Sequence, residues 1–116
     1  MGVTKTILTP GTSDRKPNAG DNVVIHYTGC LYDESAEHKM GKKFDSSYNP
    51  GRGPFRVQIG VGQVIRGWDE GVVTMNVGEE SVLTISPDYG YGDRGFPGLI
   101  PAGSTLVFKV KLIAIE

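Results

Sequence analysis

The chain has 116 residues, of which 38% are hydrophobic and 22% charged, and its formal net charge at pH 7 is −1. This length fits one domain with a buried core, so we expect residues 1–116 to form a single domain. The near-neutral charge, with no evident basic face, argues against nucleic acid or an anionic membrane surface as the main partner.

The cysteine content and the absence of long apolar runs bear on the compartment. Cys30 is the single cysteine, and a lone thiol fits a reducing compartment better than a secreted protein. No apolar run approaches the length of a membrane span or of a signal peptide. Gly2 and Thr6 match a loose myristoylation pattern, but the residues that follow alternate as in a strand. We therefore expect a soluble, cytoplasmic protein.

Five segments have the residue types or the alternation of β-strands. In chain order they are residues 3–9, 21–29, 55–60, 79–86 and 104–116. The last is the clearest, because Phe108 and Val110 fall on one face and Lys109 on the other. Joined by long irregular connections, these segments predict an antiparallel sheet.

Residues 63–75 are the one segment with helical periodicity. Apolar residues recur there at three- and four-residue steps, Trp68 and Val72 among them, and form one stripe. Gly67 and Gly71 each weaken a helix by about 1 kcal/mol relative to alanine. Their spacing suggests that a sheet or loop approaches closely on that side. One short helix packed on an antiparallel sheet is an α+β fold.

The residues required for nucleophilic, metal or dinucleotide chemistry are not found in suitable patterns. His26 and His38 have no metal-ligand partner at helical or hairpin spacing, and one cysteine cannot build a zinc site. We expect His26 to be a packed or hydrogen-bonded strand residue. GVGQVIRG, residues 60–67, fails the dinucleotide fingerprint because Ile65 replaces its third glycine. Asp69 is expected on the solvated side of the helix. Any catalysis should therefore need no nucleophile, metal or cofactor.

Large rings are numerous for so small a domain. They include Tyr27, Phe44, Phe55, Trp68, Tyr89, Tyr91, Phe96 and Phe108. Phe55 and Phe108 lie on inward strand faces, so a role in the core alone is an alternative for each. Residues 86–101, SPDYGYGDRGFPGLIP, have the glycines and prolines of a loop and yet carry several rings. Together the rings favour a concave apolar pocket with a few polar groups at its rim.

Six motifs occur in a characteristic order. They are HYTG (26–29), GKKFDSS (41–47), VIRGWDEG (64–71), LTISPDYGYG (83–92), FPGLIP (96–101) and STLVF (104–108). The set spans nearly the whole chain and resembles the FKBP-type peptidyl-prolyl cis-trans isomerases, the tacrolimus-binding immunophilins, in their small single-domain cytosolic form. The resemblance implies a five-stranded antiparallel sheet wrapped around one short α-helix, with an apolar pocket between them.

The resemblance also implies which residues form that pocket. Those implied to be catalytic are Asp45, Trp68, Tyr91 and Phe108. Those implied to bind substrate or drug are Tyr27, Phe44, Phe55, Val64, Ile65, Phe96, Leu99 and Ile100. In this scheme Trp68 is the floor, the Ile65 backbone N–H donates to a ligand carbonyl, and residues 96–100 overhang the entrance. Tyr91 supplies a hydroxyl at the rim and Asp45 a carboxylate acceptor, and no cofactor or metal is implied.

The activity implied is acceleration of X–Pro bond rotation in peptides and unfolded proteins. Tacrolimus and rapamycin are the implied drugs, and calcineurin and the TOR kinase are implied drug-dependent partners of a monomer. The alternative is a non-catalytic peptide- or protein-binding module that uses the same pocket. A structural β domain without a site would leave the loop aromatics unexplained.

Two departures from the family pattern concern the rim and one connection. Phe96 stands where the small cytosolic form often has histidine, and the link at 30–43 is longer than usual. We expect that link to be an exposed loop, with a partner-specific contact as the alternative. Arg52 is a candidate for the basic partner of Asp45.

Overall fold

The computed structural model describes residues 2–116. Within that range the strands are β1 Val3–Thr9, β2 Asn22–Tyr32, β3 Met40–Ser46, β4 Phe55–Gln58, β5 Glu80–Ile85 and β6 Leu106–Ile115. The helix α1 spans Arg66–Gly71, and short 3₁₀ turns occur at Glu37–Lys39, Val72–Thr74 and Pro87–Tyr89. In this part of the chain no helix is both long enough and apolar enough to cross a membrane.

All strand pairs are antiparallel, in the order β1-β5-β6-β2-β3, and β4 also pairs with β2. Along β2, the Asn22–Ile25 half pairs with β4 and the Thr28–Tyr32 half pairs with β3. The strands β3 and β4 therefore act as one interrupted edge strand, and the prediction of a five-stranded antiparallel sheet with one short helix is confirmed.

The link at 30–43 was expected to be a loop, and this expectation is wrong at both ends. The strand β2 continues to Tyr32 and β3 begins at Met40, so only residues 33–39 connect them. The sequence of β3, MGKKFDS, has little alternation of apolar residues. Its extended conformation comes instead from backbone pairing with β2.

The helix packs against the sheet at its two glycines. A Cβ atom built on Gly67 would lie 2.6 Å from Ile85 Cδ1, and one on Gly71 would lie 3.0 Å from Leu83 Cδ1. The predicted close approach is therefore confirmed. The α-helix is shorter than the predicted 63–75, because Ile65 has an extended backbone (φ −59°, ψ 149°) and a 3₁₀ turn follows Gly71.

The core fills the space between the helical segment and one face of the sheet. Its buried members are Val23, Ile25, Tyr27, Ile59, Trp68, Val72, Met75, Leu83, Ile85, Ile100, Leu106, Phe108, Val110 and Leu112. The alternation predicted for β6 is present, since its buried core residues are spaced two apart from Leu106 to Leu112. Each fully buried side chain of this kind contributes about 1.5–3 kcal/mol.

Candidate active site

A pocket of about 130 Å³ opens between the helical segment and the sheet. It is lined by nine residues: Tyr27, Phe44, Asp45, Phe55, Val64, Ile65, Trp68, Tyr91 and Phe108. They come from β2, β3, β4, β6, the start of the helix and the loop at 86–101. All nine are among the residues that the resemblance implied, so the structure brings these distant segments together.

Trp68 lies at the centre of the aromatic lining. Its ring centroid is 4.9 Å from that of Tyr27 and 5.2 Å from that of Phe108, in edge-on geometry. Phe55 meets Trp68 edge-on at 6.0 Å, and Phe44 meets Phe108 in the same way at 5.6 Å. Edge-to-face pairs add about 0.5–1.5 kcal/mol each beyond burial. These contacts hold the walls in fixed orientations around an apolar cavity.

Gly29 makes room for two of these walls. A Cβ atom at this position would lie 2.6 Å from Phe108 Cε1 and 2.9 Å from Phe44 Cζ. Gly29, the last residue of the HYTG motif, therefore allows the two rings to pack in place, although it does not itself line the pocket.

Tyr27, Asp45 and Arg52 form a hydrogen-bonded group at the edge of the pocket. The Tyr27 hydroxyl donates to Asp45 Oδ2 at 2.5 Å, and Arg52 donates to Asp45 Oδ1 at 3.1 Å and to the Tyr27 hydroxyl at 3.3 Å. Burial alone raises the pKa of Asp45, but the hydrogen bonds from Tyr27 and Arg52 outweigh it and lower the pKa below 3.8. Burial, followed by the bond to Asp45, raises the pKa of Tyr27. Asp45 is thus an ionised acceptor at neutral pH, with Arg52 in the partner position proposed for it.

Two buried serines, which the sequence reasoning missed, hold this group in place. Ser47 Oγ accepts from the Tyr27 N–H at 2.8 Å and lies 2.7 Å from His26 Nδ1. The Ser46 N–H donates to Asp45 Oδ1 at 2.9 Å. The signal that could have found them is their position directly after Asp45 in the motif GKKFDSS. His26 is a hydrogen-bonded strand residue, as expected.

No group of three or more potential metal ligands is present among residues 2–116.

Asp69 organises the segment that precedes the helix. Its Oδ1 accepts from the Gly60 N–H at 2.7 Å and its Oδ2 from the Gly62 N–H at 2.9 Å. This corrects the expectation of a merely solvated side chain, because the carboxylate holds the loop that leads to Val64 and Ile65.

The backbone N–H of Ile65 is a free donor within the described part of the chain. None of the backbone hydrogen bonds found in residues 2–116 uses the Ile65 N–H. That donor therefore stays available at the pocket wall.

The loop at 86–101 contributes only one of its rings to the pocket lining. Tyr91 lines the pocket, and Phe96 packs edge-on to it at 5.9 Å between ring centroids. Burial, followed by the negative charge of Asp45, raises the pKa of Tyr91, so its hydroxyl is protonated at neutral pH. Phe96 and Leu99 lie outside the lining, with 47% and 50% of their surface exposed. Ile100 was expected to overhang the entrance, but it is 5% exposed and packs in the core.

Tyr89 also lies outside the pocket. The Arg66 guanidinium carbon is 4.1 Å from the centroid of its ring, and Arg66 Nε also donates to Glu70 at 2.6 Å. Tyr89 therefore connects the loop to the helix and does not line the cavity.

Comparison with known sequences identifies the family. The profile of the FKBP-type peptidyl-prolyl cis-trans isomerases matches residues 13–113. FK506-binding protein 1 of Aspergillus oryzae is 57% identical, with 100% of both chains aligned, and that of Yarrowia lipolytica is 57% identical with the same coverage. A peptidyl-prolyl cis-trans isomerase of Schizosaccharomyces pombe is 56% identical over 100% of this chain and 96% of its own. The chain therefore belongs to the FKBP-type peptidyl-prolyl cis-trans isomerase family.

Proposed function

We propose that this chain, a peptidyl-prolyl cis-trans isomerase by family, binds the proline of an X–Pro segment over Trp68 and favours the twisted amide in that pocket. The supporting observation is a pre-formed aromatic cavity whose nine lining residues were all implied by sequence. Rotation about an X–Pro bond breaks no covalent bond, and the barrier for peptide bonds is about 18–20 kcal/mol. Each tenfold acceleration requires about 1.4 kcal/mol of preferential stabilisation of the twisted state.

The apolar lining supplies this preference through desolvation. A planar amide carries more negative charge on its oxygen than a twisted one and is better hydrated. A pocket walled by Trp68 and Phe108 therefore disfavours the planar form more than the twisted form. The Ile65 N–H orients the carbonyl, and Asp45 and Tyr91 act as secondary positioning groups at the edge. The enzyme needs no nucleophile under this scheme.

The proposal extends to ligands, partners and cellular setting. Two of the relatives compared above are named for binding FK506, which is tacrolimus. We extend that property, and rapamycin binding, to this pocket. The drug complexes engage calcineurin or the TOR kinase through the rim, where Phe96 and Leu99 are exposed. Residues 1–116 act as one domain, monomeric and cytoplasmic. Family membership favours the enzyme over the non-catalytic binding module.

The test is an assay of proline-limited isomerisation in which FK506 is added stepwise. We expect activity to fall in proportion to bound drug until one equivalent is present. Trp68→Leu and Phe108→Ala should each lower kcat/KM at least tenfold, equal to about 1.4 kcal/mol. Asp45→Val and Tyr91→Phe should each lower kcat/KM by less than this.

Tyr89→Phe is the matched control for Tyr91→Phe, because it removes the same hydroxyl outside the pocket and should leave activity unchanged. Folded Trp68 and Phe108 variants with full activity would contradict the proposed mechanism. Binding of FK506 without measurable isomerisation would instead support the alternative of a non-catalytic binding module.

A further inference from the structure

A second concavity, which we call the side groove, lies next to the pocket along β3. It has a volume of about 280 Å³ and is lined by Leu31, Lys42, Gly98, Leu99, Ile100 and Pro101. Leu31 packs against the core, and Ile100 is buried within it. The groove therefore has apolar walls and one charged side chain.

The side groove and the pocket are both lined by residues of β3. Phe44 lines the pocket and Lys42 lines the groove, and these residues are two apart on β3, whose pairing with β2 is irregular at this point. Two residues of extended chain span about 7 Å. A bound peptide in extended conformation has the same period. If a bound peptide runs along β3 with its proline in the pocket, the side chain two residues away lies beside the side groove.

Lys42 has no ionic partner in the rest of the described chain. The ion pairs among residues 2–116 use Lys5, Arg52, Arg56 and Arg66. The Lys42 side chain is exposed and makes no hydrogen bond there. A free ammonium group above apolar walls matches a side chain with an aliphatic stem and a terminal carboxylate.

We infer that the side groove is a substrate subsite for a glutamate side chain two residues from the proline, with Lys42 as the specificity-determining residue. The inference rests on the proposed function, because it requires the proline to occupy the pocket. The stem of the glutamate packs on Leu31 and Ile100 while its carboxylate pairs with Lys42. An exposed ion pair of this kind changes kcat/KM about 1.4- to fivefold.

The test compares peptides that carry glutamate, glutamine or lysine two residues before or two residues after the proline. Wild type should prefer glutamate over glutamine by up to about fivefold at one of the two positions, and that position reveals the direction of the bound chain. The preference should shrink in 0.5 M salt, because exposed charges are screened. Lys42→Glu should abolish it and favour the lysine peptide.

Lys43→Glu is the matched control, because it makes the same change of charge on the neighbouring residue. The Lys43 ammonium group donates to Asn49 Oδ1 at 3.4 Å and lies outside the side groove. This variant should keep the preference of wild type. An equal shift in both variants, or no preference in wild type, overturns the inference even when the glutamine peptides are turned over normally. Failure of wild type to turn over any of the peptides overturns the proposed function as well.

Discussion

Replacing Gly67 with alanine has two opposing effects on stability, a gain from helix propensity and a loss from overpacking. In an exposed helix the change would stabilise by up to about 1 kcal/mol. In this protein the new Cβ would lie 2.6 Å from Ile85 Cδ1 and Cγ2 and 2.7 Å from Cγ1. Ile85 is fully buried in the core, where added volume is costly. The cost of this contact therefore decides whether the substitution stabilises or destabilises the protein.

The structure sets the size of that cost. The shortest of these separations falls 0.8 Å below the 3.4 Å at which ordinary van der Waals contact begins. Overpacking of a core by a methyl group costs about 1–3 kcal/mol, of which helix propensity offsets up to about 1 kcal/mol. We expect Gly67→Ala to lower the free energy of unfolding by up to about 2 kcal/mol. It should also raise KM, because Trp68 directly follows Gly67 and Ile65 lies two residues before it.

Urea unfolding followed by the fluorescence of Trp68, the single tryptophan, measures the effect. The midpoint should fall while the slope m stays constant. Gly71→Ala, whose nearest contact is 3.0 Å from Leu83, should lose less stability. In an Ile85→Ala background the three clashing atoms are gone, so Gly67→Ala should become neutral or stabilising. A Gly67→Ala protein as stable as wild type would refute the argument.

Three further predictions concern polar side chains. Asp69→Asn removes the charge on the carboxylate that holds two backbone N–H groups before the helix, so stability measured in urea should fall by about 1–2 kcal/mol and KM should rise. Burial alone raises the pKa of Glu79, but its donors, Lys5 among them, lower it below 4.5. The stability that its charge contributes is present above about pH 4.5 and is lost as the pH falls. The free energies of unfolding of wild type and Glu79→Gln, measured in urea, should therefore differ at pH 7 and become equal as the pH is lowered to 3. Arg52→Ala should raise the pKa of Asp45 towards 3.8, as followed by NMR titration of its carboxyl carbon, and an unchanged titration would contradict the observed pairing.

Much of the fold was predictable because its signals are local. Residues 3–9 alternate as a strand and form β1 with those bounds. The two glycines in the helical segment predicted the close approach to the sheet, since their cost in a helix needs a packing reason. The strand β3 was missed, because a run of glycine and lysines carries little alternation and its pairing is supplied by β2. The helix begins later than its apolar stripe, because the Asp69 carboxylate holds residues 60 and 62 in a loop.

The sequence by itself determined the antiparallel sheet with one helix, and its resemblance to a known family implied the rings that line the pocket. The sheet and helix follow from residue type and the periodicity of each segment, and the resemblance follows from motif order, all of which can be read along one chain. Only the tertiary structure decided that Arg52 reaches both Asp45 and Tyr27, that Ile100 is buried while Leu99 is exposed, and that Lys42 faces an open groove. Periodicity assigns a side chain to a face of its own element. The distance between two side chains from separate elements depends on how turns and packing place those elements, and no pattern along the chain encodes it.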